Sequence, residues 1–411
     1  MFDDIIYEIG PALGDLRIPF NKPSISGNEY AYIADAIRRG HISGDGYYTG
    51  QCQSMLEKIL GVGRSLLTTS CTHALEMSAL LLDIREGDEV IVPSFTFVST
   101  VNAFALRGAR PVFIDIRPDT LNFDERLLEG LITPRTRAIV VVHYAGVASE
   151  MDAILTIAGR HAIPVVEDNA HGLFGRYKGR MLGTFGCLAT QSFHETKNIH
   201  CGEGGALSIN NPELIERAEI LREKGTNRSA FYRGQVDKYT WVDVGSSYVI
   251  SDCLAAFLYA QLERREQIMA ARRRIWQFYQ STLGPWAESN HIGLPYVPAH
   301  CEQPFHMFYL LMPSLEERHK LIEHLKARGI LSVFHYVPLD SSPMGRKYGL
   351  FDCPQTRRVA DTLLRLPLYN DLSEEAQAGI VSAIQEFSVR GGGSNPGENE
   401  PATEIAGPER S

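Results

Sequence analysis

No C-x-x-C pair occurs among the seven cysteines of this 411-residue chain (Cys52, Cys71, Cys187, Cys201, Cys253, Cys301 and Cys353), and their number is odd. That disfavours both a disulfide framework and a zinc ribbon and leaves reduced thiols in a cytoplasmic protein. A basic excess is lacking too. Forty Lys plus Arg face 49 Asp plus Glu, a formal charge of −9 that repels phosphate backbones and argues against a nucleic-acid partner. No apolar run approaches the roughly 18 residues of a membrane span; the longest, Ala138 to Val142, is strand-sized. The start, Met1-Phe2-Asp3-Asp4, is acidic where a secretory leader is basic. No internal repeat is visible, which disfavours a solenoid. With 44% hydrophobic and 22% charged residues, the composition is that of a soluble globular protein of two or three packed units, or one large α/β domain with an appendage.

What is present is an alternation. Short apolar runs at 89–93, 111–115, 138–142, 164–168 and 205–209 read as strands buried on both faces. Helical periods over 72–83, 99–106, 124–131, 151–161 and 212–224 lie between them, so the chain predicts a βαβ series and a mostly parallel sheet covered by helices. A long amphipathic stretch from Ser251 to about Tyr279 closes the series, with Arg272-Arg273-Arg274 expected on a solvated face. The rhythm then changes to a smaller α+β pattern: 305–312, a helix over 315–328, 332–338 and a helix over 373–387. The expected division is an N-terminal arm at 1–16, a large domain at 17–275, a small C-terminal domain at 276–390 and a disordered tail at 391–411.

Ligands of open parallel sheets sit at the carboxyl ends of the strands, so the polar residues that follow each run are weighed first. Ser70-Cys71-Thr72 opens a helix and is either a simple N-cap or an anion site. Asp168, in Glu167-Asp168-Asn169-Ala170-His171, is either another cap or a catalytic carboxylate. Lys197, in Ser192-Phe193-His194-Glu195-Thr196-Lys197-Asn198, is either a surface lysine or a nucleophile. Pro93-Ser94-Phe95-Thr96-Phe97 is either core packing or an aromatic platform. Each is ambiguous alone. Together they supply the four parts that hold pyridoxal 5'-phosphate: a ring to stack on, an anion cradle, a partner for the pyridinium nitrogen and an amine for a Schiff base.

These segments, with Val142-His143-Tyr144-Ala145-Gly146, Gly202-Glu203-Gly204-Gly205 and 222–228, resemble the DegT/DnrJ/EryC1/StrS nucleotide-sugar aminotransferases over roughly residues 17 to 388. Phe193-His194-Glu195-Thr196-Lys197-Asn198, the run 234–241 and Phe334-His335-Tyr336-Val337-Pro338-Leu339 are similar to members acting on dTDP-4-oxo-6-deoxy-D-glucose. The resemblance implies the aspartate-aminotransferase architecture (fold type I) and a homodimer with active sites at the subunit interface. It also implies a ping-pong transamination with L-glutamate as donor and a dTDP-sugar as acceptor, passing through the pyridoxamine form of the cofactor.

Carried over by position, Lys197 corresponds to the Schiff-base lysine and Asp168 to the carboxylate on the ring nitrogen. Phe95 corresponds to the stacking aromatic, Cys71, Thr72 and Ser192 to the phosphate cradle, and His171 to the residue at the cofactor's phenolic oxygen. Many members place an Asn where this chain has Ser247, and that Asn reaches the partner's phosphate. Ser247 offers a shorter arm, with Asn227 and Arg228 as substitutes. On the substrate side Gly44-Asp45-Gly46-Tyr47-Tyr48-Thr49, with Asp45 and Tyr48, resembles the family's sugar-side loop, and His194, Lys238, Tyr239, His335 and Tyr336 are polar groups either for the sugar and its diphosphate or for an interface or the surface. A related dehydratase carries His in place of the lysine, so Lys197 argues against it. A C3 keto-sugar transaminase and a non-catalytic cofactor sensor remain as alternatives. No metal is expected: His194-Glu195 followed by His200 has the wrong spacing for two ligands on one helix face.

Overall fold

The computed structural model describes residues 17–25 and 27–389. The arm expected at 1–16 and the tail expected at 391–411 lie outside the described residues. Seven strands form the central sheet: β1 Arg64–Thr68, β2 Glu89–Pro93, β3 Arg110–Ile114, β4 Thr136–Val142, β5 Val165–Asp168, β6 Leu188–Ser192 and β7 Gly205–Ile209. Their order is β1-β7-β6-β5-β4-β2-β3. All neighbours are parallel except β7, which runs antiparallel to both β1 and β6. The expected α/β class, with a mostly parallel sheet, is therefore the observed one.

Strand alternation divides the apolar residues between two cores. Val90, Val92, Ala138, Val140 and Val166 face one cluster, packed on helices α3 (Cys71–Leu81), α4 (Val98–Ala105) and α6 (Ile215–Arg222). Ile91, Ile139, Val141 and Val165 face the other, packed on α5 (Met151–Arg160). Helices α1 (Glu29–Arg38), α2 (Tyr47–Leu60) and α7 (Asp252–Glu263) cover the β1 and β7 end of that second face. A three-stranded antiparallel sheet follows: β8 Phe308–Leu311, β9 Val333–Phe334 and β10 Leu363–Leu366, with β10 in the middle. It packs with α8 (Arg265–Ser289), α9 (Leu315–Lys326) and α11 (Glu374–Gln385) around Tyr279, Phe308, Leu321, Leu364 and Ile384.

Three expectations change. The stretch from Ser251 is two helices, broken at Arg264 (φ −95°, ψ 9°), and the second runs on to Ser289, through the division expected at 275. Arg272 is not on a solvated face. It is 2% exposed and donates to the carbonyls of Phe305, His306 and Leu368 and to Asn370, so it braces the segments that follow it. Burial without an acid partner lowers its guanidinium pKa to about 9. Finally, α10 (Pro354–Thr362) and β10 were not expected from the sequence. Among the described residues no helix is long and apolar enough to cross a membrane, and no group of three or more His, Cys, Asp or Glu is placed to hold a metal ion.

Candidate active site

The carboxyl ends of β1, β4, β5 and β6 point to one edge of the sheet, and the reversed β7 begins there. A cavity of about 450 Å³ opens on that edge, closed on its far side by residues of the C-terminal sheet. Ser70 caps α3 by accepting from the His73 amide (3.1 Å). The next amides, Cys71 and Thr72, have no intrahelical acceptor at a helix start and carry the positive end of the dipole. Around them stand the hydroxyls of Thr72, Ser99 and Ser192 on the cavity wall. Thr72 Oγ1 donates to Ser99 Oγ (2.9 Å), and the Cys71 thiol, raised well above its usual range by burial, donates to Thr190 Oγ1 (3.4 Å). Gly205 makes this approach possible, because a Cβ there would lie 2.4 Å from the Cys71 nitrogen.

Lys197 is carried by the loop joining β6 to β7. Backbone bonds from Phe193 N to Gly204 O and from Glu195 N to Gly202 O, both 2.8 Å, pinch this loop shut. Desolvation lowers the lysine amine to about 8, outweighing the opposite pull of Cys71 and Asp168, and no carboxylate among the described residues forms an ion pair with it. Asp168 ends β5, 5% exposed. One carboxylate oxygen accepts from Thr100 Oγ1 (2.7 Å) and the other from the Ala170 amide (3.2 Å). Burial nevertheless raises its pKa above the ordinary carboxylate value. Thr100 is in turn bonded to Thr96 Oγ1 (2.8 Å).

Three buried histidines meet where the loop after β5, which carries His171, faces the C-terminal segments, which carry His306 and His335. His171 stacks on His306 (centroids 4.4 Å apart, 20° between planes), and His306 Nδ1 pairs with Asn198 Oδ1 at 2.9 Å. His335 Nδ1 pairs with the Tyr144 hydroxyl (3.0 Å), and the Tyr336 hydroxyl lies 3.5 Å from His171 Nε2. Desolvation lowers all three imidazoles well below their usual value, so they stand neutral. His171 Nδ1 is buried without a partner.

Of the residues singled out from sequence, Cys71, Thr72, Asp168, His171, Ser192, His194, Lys197, His335 and Tyr336 line this one cavity. Phe95 does not. It is 1% exposed and packs its ring on Tyr144 (5.1 Å) and Tyr336 (5.6 Å), whereas Phe97, 57% exposed at the start of α4, is the phenylalanine of that motif on the wall. Asp45 is paired with Arg222, and Tyr48 is buried with its hydroxyl donating to Asp35 (2.9 Å), so both fasten the entry to α2 rather than line the cavity. Asn227, Lys238, Tyr239 and Ser247 belong to a segment that does not reach the cavity of its own chain. Asn227 accepts from the Thr240 amide (2.7 Å), and Ser247 pairs with Glu223 across an isolated bridge. Sequence reading passed over Phe97, Thr100, His306 and Arg365. Phe97 and Thr100 were within reach of the motif that contains them, while the two C-terminal residues carry no local signal.

The cavity fits pyridoxal 5'-phosphate. It offers free amides and hydroxyls for a phosphate, a half-exposed aromatic ring, a partly neutral amine and a buried carboxylate. It also offers an orphaned imidazole nitrogen, which a phenolic oxygen would satisfy. Fold and cavity together define a pyridoxal-phosphate enzyme of the aminotransferase architecture. Known proteins narrow the class. The model of the DegT/DnrJ/EryC1/StrS aminotransferase family matches residues 23–385. The uncharacterized protein MJ1066 of Methanocaldococcus jannaschii is 32% identical over 382 residues, covering 90% of this chain and 97% of its own. Among solved structures, the aminotransferase TlmJ from Streptoalloteichus hindustanus has a TM-score of 0.82 at 30% identity, covering 90% of this chain and 98% of its own. Spr1654 from Streptococcus pneumoniae, in its PLP-form, has a TM-score of 0.83 at 28% identity, with 90% and 97% covered. It is also solved in a PMP-form. The chain belongs to the DegT/DnrJ/EryC1/StrS aminotransferase family and is a pyridoxal-phosphate-dependent aminotransferase.

Proposed function

We propose that the protein transfers an amino group from L-glutamate to C4 of dTDP-4-oxo-6-deoxy-D-glucose, giving a dTDP-4-amino-4,6-dideoxyhexose. The observation that carries the reading is Lys197: an enclosed amine without an acid partner, beside Asp168 and facing the free amides of α3. The designation of Spr1654 as a sugar aminotransferase supports a keto-sugar acceptor.

When bound, the cofactor supplies an aldehyde carbon and an electron-accepting ring. The Cys71 and Thr72 amides with the Thr72 and Ser192 hydroxyls hold its phosphate, and Phe97 covers one ring face. Asp168, fixed by Thr100, holds a proton at the ring nitrogen. His171, neutral and with Nδ1 free, meets the phenolic oxygen. Lys197 Nζ takes the proton from Cα of the amino donor. With its pKa near 8, roughly a tenth of the amine is neutral at pH 7, against well under a hundredth for an ordinary lysine. His194, His335 and Tyr336 stand at the wall for the sugar.

The working unit in this reading is a homodimer. Tyr30, Ile37, Ile42, Trp241 and Val244 each leave about half or more of their surface exposed, which a second copy would cover. In that arrangement Asn227, Lys238, Tyr239 and Ser247 serve the partner's cavity.

The test is the visible absorbance of the cofactor-loaded protein. L-glutamate is expected to bleach the band and dTDP-4-oxo-6-deoxy-D-glucose to restore it, with NMR of the product placing the amine on C4. A bleached band that the 4-oxo sugar leaves unchanged and its 3-oxo isomer restores would replace this reading by the C3 alternative, and no response to L-glutamate or to either sugar would remove it.

A further inference from the structure

Two adjacent strand ends of the central sheet each hold a C-terminal segment by a side chain, and only one of these fastenings grips the segment that carries His335 and Tyr336. Ser94 follows β2 and Asp115 follows β3. Asp115, 5% exposed, accepts from the Gln355 and Thr356 amides and from Thr356 Oγ1, each at 2.8 Å, and so holds the start of α10. Ser94 is fully buried. Its hydroxyl donates to Asp340 Oδ1 at 2.6 Å and accepts from the Asp340 amide at 3.1 Å, and its carbonyl accepts from the Leu339 amide at 3.2 Å. The second oxygen of Asp340 accepts from Arg357 Nη1 of α10 at 3.4 Å. Neither Ser94 nor Asp340 lines the cavity.

The segment after β9 has little else to fix it. β9 is a two-residue edge strand, and among the described residues the backbone of 335–338 makes no loop hydrogen bond. His335 pairs with the Tyr144 hydroxyl and Tyr336 stands edge-on to Phe95, while three bonds from Ser94 hold the far end at 339 and 340. Ser94 and Phe95 are consecutive, so one short motif grips the segment at both places. A carboxylate 4% exposed is costly inside a protein unless its oxygens are bonded, and an apolar contact would join strand end to segment without that cost. What the pair adds is direction. Hydroxyl to carboxylate and amide to hydroxyl, between the same two residues, fix both the place and the rotation of the backbone four residues from Tyr336. A shift of about 1 Å in a substrate-positioning group can cost about 100-fold in rate.

We propose that Ser94 and Asp340 form a latch that positions His335 and Tyr336 for the sugar, and that the amino-donor half-reaction does not depend on it. The inference rests on the proposed transamination, in which those two side chains meet the acceptor. The groups that serve the donor half-reaction are bonded elsewhere: Asp168 to Thr100 and the Ala170 amide, Thr72 to Ser99.

Ser94→Ala and Asp340→Asn, loaded with cofactor, test it, beside Thr356→Val, which loosens the other fastening. One readout is hydrogen exchange, by mass spectrometry, of peptides covering 333–340. The other is single-turnover absorbance, with L-glutamate on the pyridoxal form and with dTDP-4-oxo-6-deoxy-D-glucose on the pyridoxamine form. Ser94→Ala is expected to speed exchange in 333–340 and to raise the sugar concentration for half-maximal rate by about 10- to 100-fold, with the glutamate half-reaction within about twofold of wild type. Adding Asp340→Asn to Ser94→Ala costs little more, since the partner is already gone. Thr356→Val lowers the melting temperature and leaves the sugar dependence in place. An unchanged sugar dependence in Ser94→Ala overturns the proposal, as do equal losses in both half-reactions or a Thr356→Val enzyme that loses as much toward the sugar. Should Ser94→Ala prove unfolded by circular dichroism, Asp340→Asn decides alone: a weakening of about 3- to 10-fold confined to the sugar supports the latch, and none overturns it. If glutamate bleaches the wild-type protein and the sugar never restores it, the proposed acceptor fails on its own. Exchange in 333–340 then judges the latch, which falls if Ser94→Ala leaves it unchanged and stands if exchange quickens there.

Discussion

The two walls of the cavity are built on different terms. On the wall made by the central sheet the anion cradle and the carboxylate are held by their own neighbours: Ser70 caps α3, Thr72 bonds Ser99, and Asp168 is held by Thr100 and the Ala170 amide. The wall made by the C-terminal sheet leaves Arg365 Nε without a partner, and where the loop after β5 meets that wall His171 Nδ1 is left without one too. One wall is preorganised by its own fold, and the other is completed by what binds. Groups already fixed lose little entropy when the ligand arrives and suit orientation and proton transfer. Orphaned groups gain a hydrogen bond only on binding and suit discrimination between ligands.

The largest break in this contrast comes from the sheet wall. Lys197→Ala is expected to lower turnover by roughly 10⁴-fold or more, since the amine both attaches the cofactor and moves the proton. Steady-state assay with glutamate and the keto sugar checks it, and appreciable residual turnover would remove Lys197 from both roles. Asp168→Asn follows at roughly 100- to 1,000-fold, and Thr100→Val, which only releases the carboxylate, at about tenfold. A Thr100→Val enzyme as active as wild type would mean that the 2.7 Å bond does no orienting.

The two phenylalanines of one motif sharpen the comparison further. Phe95→Ala should cost roughly 3–5 kcal/mol of stability, because it empties a site 1% exposed between Tyr144 and Tyr336. Phe97→Ala should leave the melting temperature nearly unchanged and weaken cofactor binding by about 3- to 10-fold. Thermal melts and cofactor titration separate them, and the reverse pattern would restore Phe95 as the stacking ring. The lysine amine, lowered to about 8, gives a pH signature. The neutral form is the reactive one, so the rate at which the apoprotein takes up pyridoxal phosphate should rise with pH and level off above about 8. A rise that continues to pH 10 would show an ordinary lysine. The smallest effect is that of Tyr48→Phe, which loses one hydrogen bond to Asp35, about 1 kcal/mol, with the sugar KM unmoved.

How much of this was legible follows from where each residue gets its neighbours. Asp168, Lys197 and the start of α3 follow strands whose apolar runs are continuous, and a polar residue after such a run is at the ligand edge whatever the rest of the chain does. Phe95 and Phe97 are two positions apart in the same short motif, and sequence offers no way to say which ring turns into the core. Arg272 shows the same limit. In a run of three arginines nothing marks the one that three carbonyls and an asparagine will enclose. Tyr48 looked like a ligand residue because its loop resembled one, but Asp35, thirteen residues earlier, claims its hydroxyl.

By itself, then, the amino-acid order determined the α/β class, the strand ends on which the chemistry is mounted, and the lysine and carboxylate that stand there. These depend on hydrophobic period and on neighbours a few residues away. The tertiary structure alone decided that β7 reverses and brings Gly205 under α3, that Phe97 rather than Phe95 meets the cavity, and that His306 and Arg365 cross from the C-terminal sheet to face Lys197. Those contacts join residues more than a hundred positions apart. They are fixed by how two cores pack, which no local pattern encodes.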